Sequence, residues 1–415
     1  MITPVNVVSR EFKANPYPFY AQLRAEAPVY SLTIPVRGKA WYVTRYDDVL
    51  ALVKDERFVK DTRNVPAGER TALPNWMPPF MKPIAQNMLS LDAPDHTRLR
   101  GLVHKAFTPR LIDEMREWIE VLSNQLLDEV AEKGRMDLIE DYALPIPTTV
   151  IAQMLGVSVE DRHKFHRWSK AIISLGSGST FGALKMLPNL YAFIRYIRGL
   201  IKQRRADPQD DLITALVKAH ESGDQLSEDE LVGMIFLMLI AGHETTVNLI
   251  GNGTLALLEN PDQLALLRDN PSLVKSAVEE LLRFTSPVET ADERYAREDV
   301  TIAGVTIPKG SLVYGVIASA NRDPQQFENP DVLDITRENN KHLAFSQGIH
   351  YCLGAPLARL EGQIAFNTLL RRLPDLHLAA PLESLRWRPS QMLRGLEALP
   401  VTFMPQPVAE KIPAL

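Results

Sequence analysis

The one cysteine of the 415-residue chain, Cys352, stands in Phe345-Ser346-Gln347-Gly348-Ile349-His350-Tyr351-Cys352-Leu353-Gly354-Ala355-Pro356, with a helical pattern following over 357–370. Flanking glycines permit an unusual backbone, in which loop N–H groups and the next helix N-terminus point at the sulfur and stabilise a thiolate. Hydrogen bonds of that kind also tune a metal held there. Without this setting, a lone cysteine reads as an inert buried thiol. A structural zinc site needs about four ligands, which one cysteine and scattered histidines do not supply at motif spacing. A metal bound by Cys352 is therefore carried by a cofactor. His163 and His166, one helical turn apart, converge with nothing else and read as a solvated helix face.

The elements that must position this loop are mainly helical, with minor β sheet. Strand patterns cover 29–34 and 41–46, separated by Pro35 and Gly38. Five prolines within 64–83 exclude a long helix there and predict a loop, carrying Trp76, Phe80 and Met81, that covers a pocket or lies on the surface. Thr108 and Pro109 start an amphipathic helix of about seven turns reaching Gly134. Further helices are predicted over 188–205, 227–259 and 273–283, and a hairpin around Gly304 and Gly310. The longest apolar run, 231–242, is shorter than the roughly 18 residues of a membrane span and reads as a buried helix. No repeat, linker or low-complexity tract marks a boundary, so residues 1–415 read as a single catalytic domain.

Composition supports a globular chain, with 45% hydrophobic and 23% charged residues. A net charge of −5 gives no basic field for a polyanion, which argues against nucleic acid as a partner. One cysteine and an N-terminal stretch without a charged-then-apolar leader predict a cytoplasmic protein that does not enter a membrane. The match of Gly251-Asn252-Gly253-Thr254-Leu255-Ala256 to a dinucleotide fingerprint is rejected because a helix, not a strand, precedes it.

The spacing of Phe345, Gly348, Cys352 and Gly354 resembles the haem-binding signature of the cytochrome P450 family, and three further motifs agree with it. Ala241-Gly242-His243-Glu244-Thr245-Thr246 is similar to the family's oxygen-activating motif, with Ala241 and Gly242 leaving room over the iron. Glu280-Leu281-Leu282-Arg283 is similar to its Glu-x-x-Arg pair, which with Arg337 implies a structural ion-pair cluster. His96 and Arg100, Arg294, and His350 are implied partners of the haem propionates, where charge-assisted bonds serve best.

The resemblance covers about residues 15–403 and implies the cytochrome P450 fold around a buried haem b (iron protoporphyrin IX), with Cys352 as iron ligand. A thiolate ligand favours O–O cleavage. Thr245 then hydrogen-bonds the oxygen being reduced while Glu244 relays protons, Thr246 or water assisting. The competing reading of Thr245 is a hydroxyl bonded to the Ala241 carbonyl.

By the same resemblance the pocket is bounded by Met88, Leu89, Ile240, Ala241, Val288 to Ala291, Met392 and Leu393, with 175–182 as a lid segment hinged at Gly176 to Ser179. Such a lining suits a medium or large lipophilic molecule. Because the sequence contains no flavin or nicotinamide module, electrons are expected from a ferredoxin and its reductase. Arg98, His104, Lys105 and Arg110 give basic character to the expected docking face. The expected activity is hydroxylation or epoxidation with oxygen. The alternatives are a thiolate-haem peroxygenase, and a non-catalytic haem or ligand-binding module on the same fold.

Overall fold

In the computed structural model, which describes residues 2–35, 37–65, 79–85, 87–161, 163–165, 167–168, 180–221 and 226–407, the apolar run 231–242 lies inside a 32-residue helix, Glu228–Glu259. Ser227 caps it: the hydroxyl accepts from the Glu230 N–H, and the Glu230 carboxylate accepts from the Ser227 N–H at 2.7 Å. This reciprocal box satisfies two donors that would otherwise be orphaned. Glu228, Asp229 and Glu230 add negative charge at the positive end of the helix dipole. By length and hydropathy the helix would suffice to cross a membrane, yet most of its apolar stretch is buried. Its apolar character all round follows from its neighbours, since Lys82–Ala85, Pro145–Met154, Val274–Thr285 and Ala355–Arg372 pack against it.

Helices dominate the rest, with three small sheets beside them among the described residues. One sheet orders its strands Val29–Ile34, Gly38–Val43, Leu312–Gly315, Arg294–Ala296 and Phe58–Val59, with only Gly38–Val43 and Leu312–Gly315 parallel. Val29 pairs with Val43 and Ile34 with Gly38. Arg135–Asp137, Pro400–Thr402 and His377–Leu378 form the second sheet. The predicted hairpin joins Val300–Ile302 to Val305–Ile307 through Ala303 and Gly304, both at positive φ as a tight two-residue turn requires.

Several boundaries depart from expectation. The second strand is Gly38–Val43, and Tyr46 instead opens the helix Tyr46–Lys54, where its N–H donates to the Asp323 carboxylate at 2.8 Å. The seven-turn helix is two, Pro109–Glu114 and Arg116–Ala131, meeting at buried Met115, whose N–H bonds three residues back to Ile112. Thr108 does cap the first of them, accepting from the Leu111 N–H. The helix predicted from Pro188 runs over Thr180–Ala206, with that proline inside it. Residues 66–78 and 169–179, which hold most of the proline-rich loop and the proposed hinge, lie outside the described residues, as does His166.

Beneath the cysteine loop, Glu280 and Arg283 are fully buried on Val274–Thr285. Two parallel bonds of 2.8 and 2.7 Å join them, and Glu280 also accepts from Arg337, Asn340 and the Asp334 N–H. Arg283 donates further to the Asn321 and Pro330 carbonyls, so the cluster ties the helix to the chain leading into the loop. A buried pair so fully bonded is stable only as a unit. Arg283→Ala is expected to lower unfolding free energy by about 3–5 kcal/mol, as measured by urea denaturation, because Glu280 stays buried without its main partner. A loss under about 1 kcal/mol would mean that the cluster does not anchor this segment.

Candidate active site

Cys352 sits half-buried between a short 3-10 turn, Gly348–His350, and the helix Ala355–Arg372. The loop closes on itself where the Cys352 N–H donates to the Phe345 carbonyl at 2.9 Å. Gly348 has φ +74°, and a Cβ there would press to 3.0 Å from the Val53 carbonyl, so this glycine meets both a conformational and a packing demand. Gly354 has an ordinary φ of −81°, so the unusual backbone expected of it is absent, but its N–H bonds the Cys352 sulfur as expected at this helix start. Burial pushes the Cys352 thiol up, opposed by that N–H and by the Arg100 and Arg359 charges. The ring of Phe345, buried, lies under the Arg359 guanidinium at 4.5 Å.

Beside the loop, His96 and His350 are buried with their ring centres 4.2 Å apart. Both ring nitrogens of His96, Nε2 of His350 and Nε of Arg294 are buried without a hydrogen-bond partner among the described residues. The Arg294 terminal nitrogens donate to the Phe58 and Val53 carbonyls at 3.3 and 3.2 Å. Burial, then Arg100 and Lys60, hold His96 down at about 4, while burial and the charges of Lys60, His96, Arg294 and Arg100 push His350 down. The carboxylates acting on Arg294 are already engaged, Asp292 by Lys60 at 2.7 Å, Asp92 by the Lys60 and Asp61 N–H groups, and Asp55 by Arg57. The cluster thus has donors and positive charge in excess of its own acids. A group bearing two carboxylates on an apolar plate, as haem does, fits that donor set.

On the long helix, burial relaxes in one stretch. Ala241 is exposed and Met238, Ile240, Glu244 and Thr245 are half-buried, while Leu239, His243 and everything from Thr246 to Leu257 are buried. Open space therefore adjoins this stretch. Gly242 contributes differently from expectation, since a Cβ on it would strike the Ile151 side chain; it admits the helix Pro145–Met154. Thr245 donates to the Ala241 carbonyl at 3.0 Å and Thr246 to that of Gly242 at 3.3 Å. Burial pushes the Glu244 carboxyl up, and Arg388, at 3.8 Å, opposes this.

The segments around Val288 and Met392 meet: Val288 bridges Leu393, and the Glu289 and Thr290 N–H groups donate to the Met392 carbonyl. Leu89, Val288, Met392 and Leu393 are half-buried, whereas Met88 and Ala291 are buried in core clusters. On the expected docking face, Arg98 is paired with Glu230 and Arg110 with Glu114, while His104 and Lys105 are exposed.

The chain matches the Cytochrome P450 family profile over residues 6–374. The chain belongs to the cytochrome P450 family. It is 45% identical to the polyketide biosynthesis cytochrome P450 PksS of Bacillus subtilis strain 168, over 95% of this chain and 97% of that protein. It is also 45% identical to the vitamin D(3) 25-hydroxylase of Pseudonocardia autotrophica, over 97% of each. A solved structure of PksS superimposes with a TM-score of 0.89 at 44% identity, covering 96% of this chain and 99% of that one. As a cytochrome P450, the protein is a haem-iron monooxygenase, an oxidoreductase supplied by redox partners.

Some residues beside these groups escaped the sequence reading, Lys60 and Glu361 among them. Lys60 joins the cationic cluster only through tertiary folding. Glu361 left a local trace, an acid at a core position of the helix Ala355–Arg372, in register with buried Leu357, Leu360, Ile364 and Ala365. Burial pushes its carboxyl up to about 8, opposed by a hydrogen bond with Thr246. The folded state therefore keeps a proton there between about 4.5 and 8 that the unfolded chain has lost, so stability falls as pH rises through this window. In urea denaturation at about pH 5 and about pH 9, Glu361→Gln is expected to show a smaller decline in midpoint than wild type. An unchanged decline would contradict the raised carboxyl.

Proposed function

We propose that the chain is one catalytic unit that hydroxylates or epoxidises a medium-to-large lipophilic molecule in the cytoplasm, using oxygen and two electrons delivered by a ferredoxin and its reductase. The observation that carries this reading is the acid and alcohol pair, Glu244 and Thr245, at an accessible stretch midway along a helix whose central part is largely buried. Haem b on the Cys352 sulfur would supply the iron at which oxygen is reduced and activated. His96, Arg100, Arg294 and His350 would hold its two carboxylates, each neutral imidazole donating through its one N–H and Arg294 through Nε, which has no partner among the described residues. Phe345, Gly348 and Gly354 shape the turn that presents the sulfur.

Thr245 can rotate its hydroxyl from the Ala241 carbonyl toward the adjoining space and donate there. Ala241, lacking bulk, leaves that space open. Glu244, whose carboxyl burial has raised, passes protons inward from the half-exposed side on which it lies. Thr246 and the protonated Glu361 form a second pair of exchangeable hydrogens behind it. Ile240, Leu89, Val288, Met392 and Leu393 offer an apolar wall, which with the names of two relatives, a polyketide P450 and a vitamin D(3) hydroxylase, supports a lipophilic substrate.

With a surrogate ferredoxin system and a compound selected by its spin-state shift of the iron, Thr245→Ala is expected to lower product per oxygen consumed by about tenfold or more, with peroxide released instead. Unchanged coupling in this variant would instead favour use of preformed peroxide.

A further inference from the structure

The accessible stretch of the long helix continues as a polar face. Glu244, Asn248 and Asn252 stand four residues apart, which places them in line along one side. All three meet a single hairpin, residues 386–397. Its strands are joined by the Glu397 N–H to Arg386 carbonyl bond at 2.8 Å, by the Arg388 N–H to Gly395 carbonyl bond at 2.9 Å, and by a bridge between Trp387 and Leu396. Asn252 donates to the Arg394 carbonyl at 2.8 Å. Gly395 lies so close to Asn248 that a Cβ would collide with its amide. Arg394 is itself locked, stacked on Trp387 at 3.7 Å and donating to the Lys13 and Ala14 carbonyls. Two of the three positions are therefore fixed contacts of the hairpin backbone.

The third is different in kind. Glu244 meets the hairpin through the Arg388 side chain, at 3.8 Å, which is ion-pair but not hydrogen-bond distance. No hydrogen bond to the Glu244 carboxylate forms among the described residues, and Arg388 is the charged group that acts on it. Arg388 keeps 32% of its side chain exposed and Glu244 20%, so the pair lies at the boundary between solvent and interior. The Arg388 backbone is anchored by its N–H on the Gly395 carbonyl, while its guanidinium makes no hydrogen bond among the described residues. The same hairpin carries Met392 and Leu393 at its turn, bonded to the Val288–Ala291 side of the proposed pocket.

We propose that Arg388 is the positioning residue of this enzyme's proton supply, holding the Glu244 carboxylate at the solvent boundary and setting when it takes up a proton. A cation close to a partly buried carboxylate favours its charged form, so the pair keeps Glu244 ready to accept from water, and separation lets it hold the proton for delivery. The inference rests on the reading of Glu244 as the relaying acid.

The test uses the haem-loaded protein. Infrared spectra taken across a pH titration, with Glu244→Gln to identify the Glu244 carboxyl band, give the midpoint of that one group in wild type, Arg388→Gln and Arg388→Lys. The midpoint should move to higher pH in Arg388→Gln and return toward wild type in Arg388→Lys, with unaltered haem absorption in both as the check on folding. Product per oxygen consumed, with the spin-state-selected compound, should fall about threefold or more in Arg388→Gln and recover in Arg388→Lys. A midpoint unmoved in Arg388→Gln, or equal losses in both variants, would overturn the proposal. Full coupling in Glu244→Gln would instead overturn the relay reading itself, separately from the role of Arg388.

Discussion

Four buried nitrogens have no hydrogen-bond partner among the described residues, two on His96 and one each on His350 and Arg294, and they gather in one place beside the cysteine loop. Each such donor or acceptor costs on the order of 1–3 kcal/mol when left unsatisfied. They lie among Lys60 and Arg100, whose charges push both histidines away from protonation. An anionic partner would suit the positive charge around them, and the three residues that carry them come from separate places: a helix, a strand and the cysteine loop.

The second organising feature is the gradation of the long helix from core to working surface. Its two terminal turns are partly exposed and most of 231–257 is buried, while Ala241, Glu244 and Thr245 in the middle keep access to open space. Polar groups placed there would be costly if enclosed alone. Thr245 and Thr246 return their hydroxyls to carbonyls one turn back, Glu244 faces Arg388, and Asn252 bonds the hairpin backbone. The helix thereby joins Ala355–Arg372, which follows the cysteine loop, on one side and the hairpin 386–397 on another, so that the acid, the alcohol and the hairpin turn share one support.

What could be read in the sequence was what local chemistry specifies. The cysteine loop, Ser227 as the start of the long helix, Thr108 as a cap, and the mainly helical character each depend on residues within a few positions of one another. The break at Met115, the capping of Tyr46 by Asp323, and the closeness of Lys60 to His96 depend on contacts made only after folding. Gly242 and Gly354 show a subtler limit. The N–H presented to sulfur at Gly354 was readable from the loop, but its ordinary φ was not, and the admission of Ile151 at Gly242 follows from a neighbour that the spacing does not display. Arg388 left no local sign, since nothing in its own segment links it to an acid 144 positions earlier.

The account stands on Cys352 as the ligand of a haem iron. The direct measurement is the absorption difference spectrum of the reduced protein under carbon monoxide, in wild type and in Cys352→His. A strongly red-shifted Soret band in wild type, lost in the variant, is the predicted result. A wild-type protein that takes up no haem, or a band that survives the substitution, would contradict it and return Cys352 to the status of an ordinary half-buried thiol.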